Sequence, residues 1–264
     1  MVGALGDGGV GDGGVAVEID GAVARVRLCR PDKRNAQTPD TWLALAAAGD
    51  ALPDDVRVAI VSGEGSSFSA GLDRSMFAAI GSWSDDGDAA FLERIATYQA
   101  GFSWLRRPEF VSVAAVQGHA IGAGFQLALA CDLRVAAADA QFTMAEPSLG
   151  LVPDLGGTQV LVDLVGYSRA LEICATGRRV GAEEAERIGL VNLVVPPDQL
   201  DAAVDDLVAA VTGTVHGAVT ATKSLLLAAR DRTYDEQLLA ERQAQVSRIR
   251  ALTAGSAHGS DSQP

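Results

Sequence analysis

Two short apolar runs, "RVAIVSG" and "SVAAVQG", constrain this chain more than any other feature. Each is almost wholly hydrophobic and ends in glycine, and between them residues from about Asp88 to Arg107 carry an amphipathic helical pattern stopped by Pro108. Runs of this length without polar alternation are expected of strands buried on both faces, and parallel strands need a helical crossover between them. The prediction is an α/β architecture. Ahead of these runs, "VAVEID" and "AVARVRLC" alternate around Asp20-Gly21, which predicts a hairpin. After Asp132, "DLRVAAA" and "QFTMA" predict further strands, shorter helices run through Glu184, and "LVNLVV" is ended by Pro196-Pro197. From Asp198 to about Leu252 helix formers dominate, with a break near Gly213 to Gly217. The expected organisation is a disordered Gly-rich stretch over 1–14, an α/β core over 15–197, a helical region over 198–252 that packs on the core or on another subunit, and a disordered polar tail over 253–264.

Two glycine-containing turns stand out because each follows a buried strand and precedes a helical segment. They are Phe68-Ser69-Ala70-Gly71-Leu72-Asp73, and Gly118 to Gln126 with its Gly122-Ala123-Gly124 triplet. Glycine lets a ligand approach the backbone, and a helix N-terminus offers unpaired N–H groups in a favourable dipole. Such turns suit an oxyanion site, although tight strand-to-helix turns can look the same. The triplet is followed by Phe125, Gln126 and Leu127, so the third glycine of a dinucleotide fingerprint is missing. A P-loop, a G-x-S-x-G elbow and an H-E-x-x-H pair are absent from the sequence as well.

The formal net charge of −13 argues against a nucleic-acid partner. The longest apolar stretches, such as Leu127 to Ala130, fall well short of the ~20 residues that cross a bilayer, and the chain opens without a charged-then-apolar signal. A cytoplasmic protein is expected. Cys29, Cys131 and Cys174 are too few and too scattered for a disulfide framework or a metal knuckle, and are read as buried, inert thiols.

"FSAGLD", "GHAIGAGFQLALACDLRVA", "AEPSLGLVPDLGGTQ" and "ATGRRVGAEEAERIGLVNLVV" occur in the order and spacing of the crotonase (enoyl-CoA hydratase/isomerase) family, which the chain resembles from about Val15 to Leu252. The resemblance implies a crotonase-like spiral of ββα units with a C-terminal helical region that associates subunits into homotrimers or dimers of trimers. It implies an acyl-CoA substrate, with CoA entering as part of that substrate and no metal or redox cofactor. The two backbone N–H donors to the thioester oxygen are then Leu72 and Ala123, where many members have glycine at the second position. The substrate-binding candidates are Lys33, Arg34, Ala70, Asp73, Arg74, Gly122 and Lys223; for the four basic residues the competing reading is an ordinary solvated charge.

The acids and bases are where members differ. Members similar to enoyl-CoA hydratase place two glutamates against the substrate; the second matches Glu146, but the first matches Gln126, which cannot exchange a proton usefully and could hold a water or a substrate oxygen. Asp154, eight residues beyond Glu146, matches the position of a catalytic aspartate in members similar to dienoyl-CoA isomerase. Each acid also has a plainer role open to it: Glu146 capping the turn that begins at Pro147, Asp154 capping the helix after Gly156-Gly157. Glu146 and Asp154 together predict double-bond migration by proton transfer. Hydration by Glu146 with a water on Gln126 is the alternative, and a non-catalytic acyl-CoA binder is a third. The acyl tail is expected near the stretch from Met76 to Ala90, and His119 is expected in a turn with no part in the chemistry.

Overall fold

The computed structural model describes residues 10, 11, 13–77 and 87–258. The expected disorder of 1–9 and 259–264, and most of the proposed acyl-tail segment from Met76 to Ala90, therefore lie outside the described residues. The chain divides into two units, one ending at Ala209 and one beginning at Ala210.

The first unit is built on a six-stranded sheet in the order β1-β2-β3-β4-β6-β9. Strands β1 (Val15–Asp20) and β2 (Val23–Leu28) form the expected hairpin, closed by Gly21 with φ 54° and Ala22. Strands β3 (Val58–Gly63), β4 (Val111–Val116), β6 (Leu133–Ala137) and β9 (Leu193–Val195) add in parallel. Every residue of β4 is buried, which is why that segment reads as a continuous apolar run instead of alternating. The crossovers are α1 (Pro39–Asp50), started by a Thr38/Thr41 capping box with Pro39 at its first position, and α2 (Asp88–Ser103). Trp42 of α1 packs against Tyr98 and Phe102 of α2, fastening the two helices to each other.

A second sheet, ordered β5-β7-β8, joins β5 (His119–Ile121), β7 (Gln141–Thr143) and β8 (Val180–Gly181). His119 is therefore strand and not turn: it pairs with Gln141 of β7, and its Nδ1 lies 3.2 Å from Ser67 Oγ. Helix α3 (Ala123–Ala130), buried along its whole length, follows β5 directly. Its C-terminal end is held by Arg134, 2% exposed, whose guanidinium donates to the carbonyls of Cys131 and Leu190 at 2.7 Å each. Helices α4 (Gly157–Val165), α5 (Tyr167–Thr176) and α6 (Ala182–Arg187) complete the layer.

Two boundaries differ from the sequence reading. Order begins before Val15, because the Cys29 N–H donates to the Gly14 carbonyl at 2.8 Å and Thr41 Oγ1 to that of Gly13 at 2.7 Å. Helix α7 (Leu200–Thr212) lies mostly before the division at Ala209, burying Leu200, Val204 and Val208 and pairing Asp205 with Arg25 at 2.7 Å. The second unit comprises α8 (His216–Ala228) and α9 (Tyr234–His258), which runs on past the expected stop at Leu252. It leaves Leu226, Leu239, Ile249 and Leu252 exposed. Among the described residues no helix is long and apolar enough to cross a membrane.

Candidate active site

The two glycine turns meet. Ser69 pairs with β5 through both of its backbone groups, donating to the His119 carbonyl at 2.8 Å and accepting from the Ile121 N–H at 3.0 Å. At Gly71, φ 78°, a side-chain carbon would collide with the Ile121 carbonyl oxygen and stand 3.4 Å from Ala123 N. Only glycine permits that approach.

Each turn presents a backbone N–H without an acceptor among the described residues. Gln37 brackets Leu72, its N–H donating to the Gly71 carbonyl and its carbonyl accepting from the Asp73 N–H, both at 2.7 Å. Alternate residues of an extended segment point their polar groups to opposite sides, so the Leu72 N–H faces away from Gln37. Ala123 is the first residue of α3, where a helix leaves its N–H groups without an internal partner. Gly122 before it has φ 52° and ψ −118°, a conformation that L side chains do not adopt, and turns the chain sharply into the helix.

Glu146 stands at this junction. A Cβ on Gly122 would lie 3.2 Å from Glu146 Oε1, so the carboxylate rests against the Gly122 backbone. Gln126, one turn into α3 and 1% exposed, donates from Nε2 to Glu146 Oε1 at 2.7 Å. Its Oε1 accepts from the N–H groups of Leu155 at 2.9 Å and Gly157 at 3.4 Å. The amide oxygen and one Nε2 hydrogen are thus engaged, so Gln126 clamps Glu146 to the loop that carries Asp154, and the expected hold on a water or a substrate oxygen falls to the second Nε2 hydrogen. Glu146 Oε2 is buried and accepts no hydrogen bond among the described residues. Burial pushes the Glu146 carboxyl above the usual carboxylate range; backbone hydrogen bonding at Glu146 and then the Gln126 hydrogen bond oppose this, and the charge of Asp154 adds to it. Asp154 is raised as well, again by desolvation. Both shifts run in the direction that brings a carboxyl closer to exchanging its proton near neutral pH.

Neither acid is a cap. The short turn at Glu146–Leu149 has Ala145 as its N-cap and no side-chain capping bond, and α4 is preceded by Gly156, also without one. The remaining candidates divide. The Ala70 N–H donates to the Arg34 carbonyl at 2.8 Å, which ties the Lys33-Arg34 turn to the Leu72 turn, and Lys33, Arg34 and Arg74 are exposed. The Asp73 carboxylate is engaged within its own loop, pairing with Arg30 at 2.8 Å and accepting from Ser75. Lys223 belongs to the second unit and is 8% exposed, so it is not the solvated charge that was its plainer reading. Of the cysteines only Cys131 is buried; Cys174 is half-buried and close enough to Glu146 for that carboxylate to help raise its pKa, after desolvation. Sequence reasoning missed Arg30 and Gln99, the latter donating to the Asp154 carbonyl at 2.6 Å from α2. Isolated polar residues outside any motif carry no signal of such long-range pairing.

The sequence model of the family described as Enoyl-CoA hydratase/isomerase matches residues 18–256 of this chain. Over 228 residues the chain is 32% identical to the peroxisomal Delta(3,5)-Delta(2,4)-dienoyl-CoA isomerase of Arabidopsis thaliana, covering 83% of this chain and 82% of that one. Over 197 residues it is 35% identical to the crotonyl-CoA hydratase of Syntrophomonas wolfei, covering 70% of each. Among solved structures it is similar to a Thermobifida fusca protein classed with the enoyl-CoA hydratases and crystallised in complex with CoA. That similarity has a TM-score of 0.87 and 48% identity, over 92% of this chain and 95% of the other.

Proposed function

Because the chain belongs to the enoyl-CoA hydratase/isomerase (crotonase) family, we propose that it is an acyl-CoA isomerase that shifts a double bond by proton transfer between Glu146 and Asp154. The thioester oxygen accepts from the Leu72 and Ala123 N–H groups. Glu146 removes a proton from carbon near the thioester, the electron pair moves into the conjugated system and onto the oxygen, and Asp154 returns a proton further along the chain. Donors already aimed at the oxygen lower the cost of that charge, each contributing on the order of 10²–10³ in rate. The exposed Lys33, Arg34 and Arg74 are the proposed partners of the CoA phosphates. The reaction moves only protons and needs no redox cofactor. Homotrimers or dimers of trimers belong to the same proposal, and the leucines left exposed on α8 and α9 support it.

The observation that supports the isomerase reading is that Gln126 ties Glu146 to the loop of Asp154, whose charge acts on the Glu146 carboxyl. Hydration is the second reading. It is favoured by Glu146 Oε2, buried and without a hydrogen-bond partner among the described residues, to which a water could donate. A ¹H-NMR time course with 3-enoyl- and 2-enoyl-CoA separates them. Interconversion of the two double-bond positions is expected, and 3-hydroxyacyl-CoA from the 2-enoyl substrate would make the enzyme a hydratase.

The clamp also sets a pH dependence. Glu146 is faced by Gln126, by Asp154 and by Cys174; backbone hydrogen bonding at Glu146 and Ala145 and the Gln126 hydrogen bond favour its ionised form, and the charge of Asp154 disfavours it. Gln126→Leu is expected to raise the Glu146 pKa further, moving the acidic limb of the kcat/KM profile to higher pH. An unmoved limb would separate Gln126 from the chemistry.

A further inference from the structure

The Leu72 N–H is aimed by a loop and not by a regular element, so something outside the site must hold the loop still. Two backbone hydrogen bonds to Gln37 flank Leu72, on Gly71 and on Asp73. One guanidinium spans both sides of this bridge. Arg30 Nη1 donates to the carbonyl of Ala36, next to Gln37, at 2.5 Å, and Nη2 donates to Asp73 Oδ2, next to Leu72, at 2.8 Å. The other Asp73 oxygen accepts from the Ser75 N–H at 3.1 Å and the Ser75 hydroxyl at 2.9 Å, which stops the carboxylate from rotating. Arg30 is itself fixed: its N–H donates to Asn35 Oδ1 at 2.9 Å, and its stem lies against Gly14, where a Cβ would come within 2.5 Å of Arg30 Cγ.

We propose that Arg30, acting through Asp73, is a positioning residue for the Leu72 arm of the oxyanion site; this rests on the reading of Leu72 and Ala123 as donors to the thioester oxygen. The planar fork is what the task requires, since its two nitrogens reach two strands at a fixed separation, and an ammonium is a point charge on a flexible stem. The side chains are only 28% and 14% exposed, so the pair is partly sheltered from screening by salt. Asp73, lowered to about 2 by the Ser75 N–H and then by Arg30, stays ionised across the working range of an enzyme. Without the pair, the Gln37 bonds remain but the loop beyond Leu72 loses its anchor. A donor displaced by a fraction of an ångström still binds ground-state substrate and stabilises the developing oxyanion less.

The test follows the thioester carbonyl directly, by isotope-edited infrared spectroscopy of a saturated acyl-CoA carrying ¹³C at C1, beside steady-state kinetics on enoyl-CoA. The unsubstituted protein is expected to lower the carbonyl stretching frequency on binding; no lowering there would overturn the reading of the two donors. With that lowering in place, Arg30→Leu is expected to lose a large part of it and to reduce kcat roughly 10–100-fold, with KM changed by less than about threefold. Arg30→Lys should fall between the two. Asp73→Asn is nearly isosteric and carries the comparison alone if Arg30→Leu does not fold; the double variant should be no worse than either single one. Full carbonyl lowering and full kcat in Asp73→Asn or Arg30→Leu would overturn the positioning role while leaving the donors intact. A raised KM at unchanged kcat would overturn it too, because it would make Arg30 a substrate contact.

Discussion

Glu146→Gln is expected to lower kcat by about 10²–10⁴, the usual contribution of a general acid or base, with KM for the acyl-CoA nearly unchanged. The substitution keeps the shape of the side chain and the amide oxygen that can accept from Gln126 Nε2, so the clamp on the Asp154 loop survives. What it removes is the carboxylate that rests against the Gly122 backbone, the group proposed to take the proton. Stability should move the other way. Burial raises the folded-state pKa of Glu146 above its unfolded value, so at neutral pH the ionised carboxylate opposes folding, and that opposition disappears as pH falls below the unfolded value. The variant is therefore expected to melt at or above the temperature of the parent at pH 7 and to lose that advantage in acid. Turnover at the parental rate would leave Glu146 a structural residue; acyl-CoA binding without turnover by the unsubstituted protein would return the non-catalytic binder to consideration.

Gly71→Ala is expected to cost at least ~10²-fold in kcat/KM, from a residue with no chemistry of its own. The added methyl would meet the Ile121 carbonyl oxygen closer than any real side-chain carbon sits, beside Ala123 N, on a backbone with φ 78°. Either the two turns separate, which pulls the Leu72 and Ala123 donors apart, or the chain strains by about 1–3 kcal/mol. Kinetics and thermal melts on one preparation distinguish activity lost by geometry from activity lost by unfolding. Gly181→Ala serves as the control, because a Cβ there meets nothing within 4 Å and its φ is −76°. A fully active Gly71→Ala would mean that the two turns need not touch.

How much of this was legible beforehand depends on the range of the interaction. The hairpin, the buried parallel strands β3 and β4, the helix between them and both glycine turns are written in stretches of a few residues. So is the resemblance that names Leu72, Ala123 and Glu146 in order. His119 was misjudged because a three-residue strand between two glycines carries the same local signal as a turn. Gly13 and Gly14 read as loose chain, yet Gly14 packs on Arg30. The intramolecular partners of Asp73 and Gln126 were not legible: one is held by a residue 43 positions away, the other holds a carboxylate 20 positions on and two amides beyond it.

The sequence by itself determined the architecture and the family and named the candidate acids, because hydrophobic period, glycine placement and motif order are properties of contiguous residues. Only the tertiary structure decided what those groups are able to do. Whether an amide is free to hold a ligand, whether Asp154 caps a helix, and where a backbone N–H points all depend on which distant atoms have already claimed the available hydrogen bonds. A buried polar group takes whatever partner the fold brings within about 3 Å, and that choice is made by packing across the chain rather than along it.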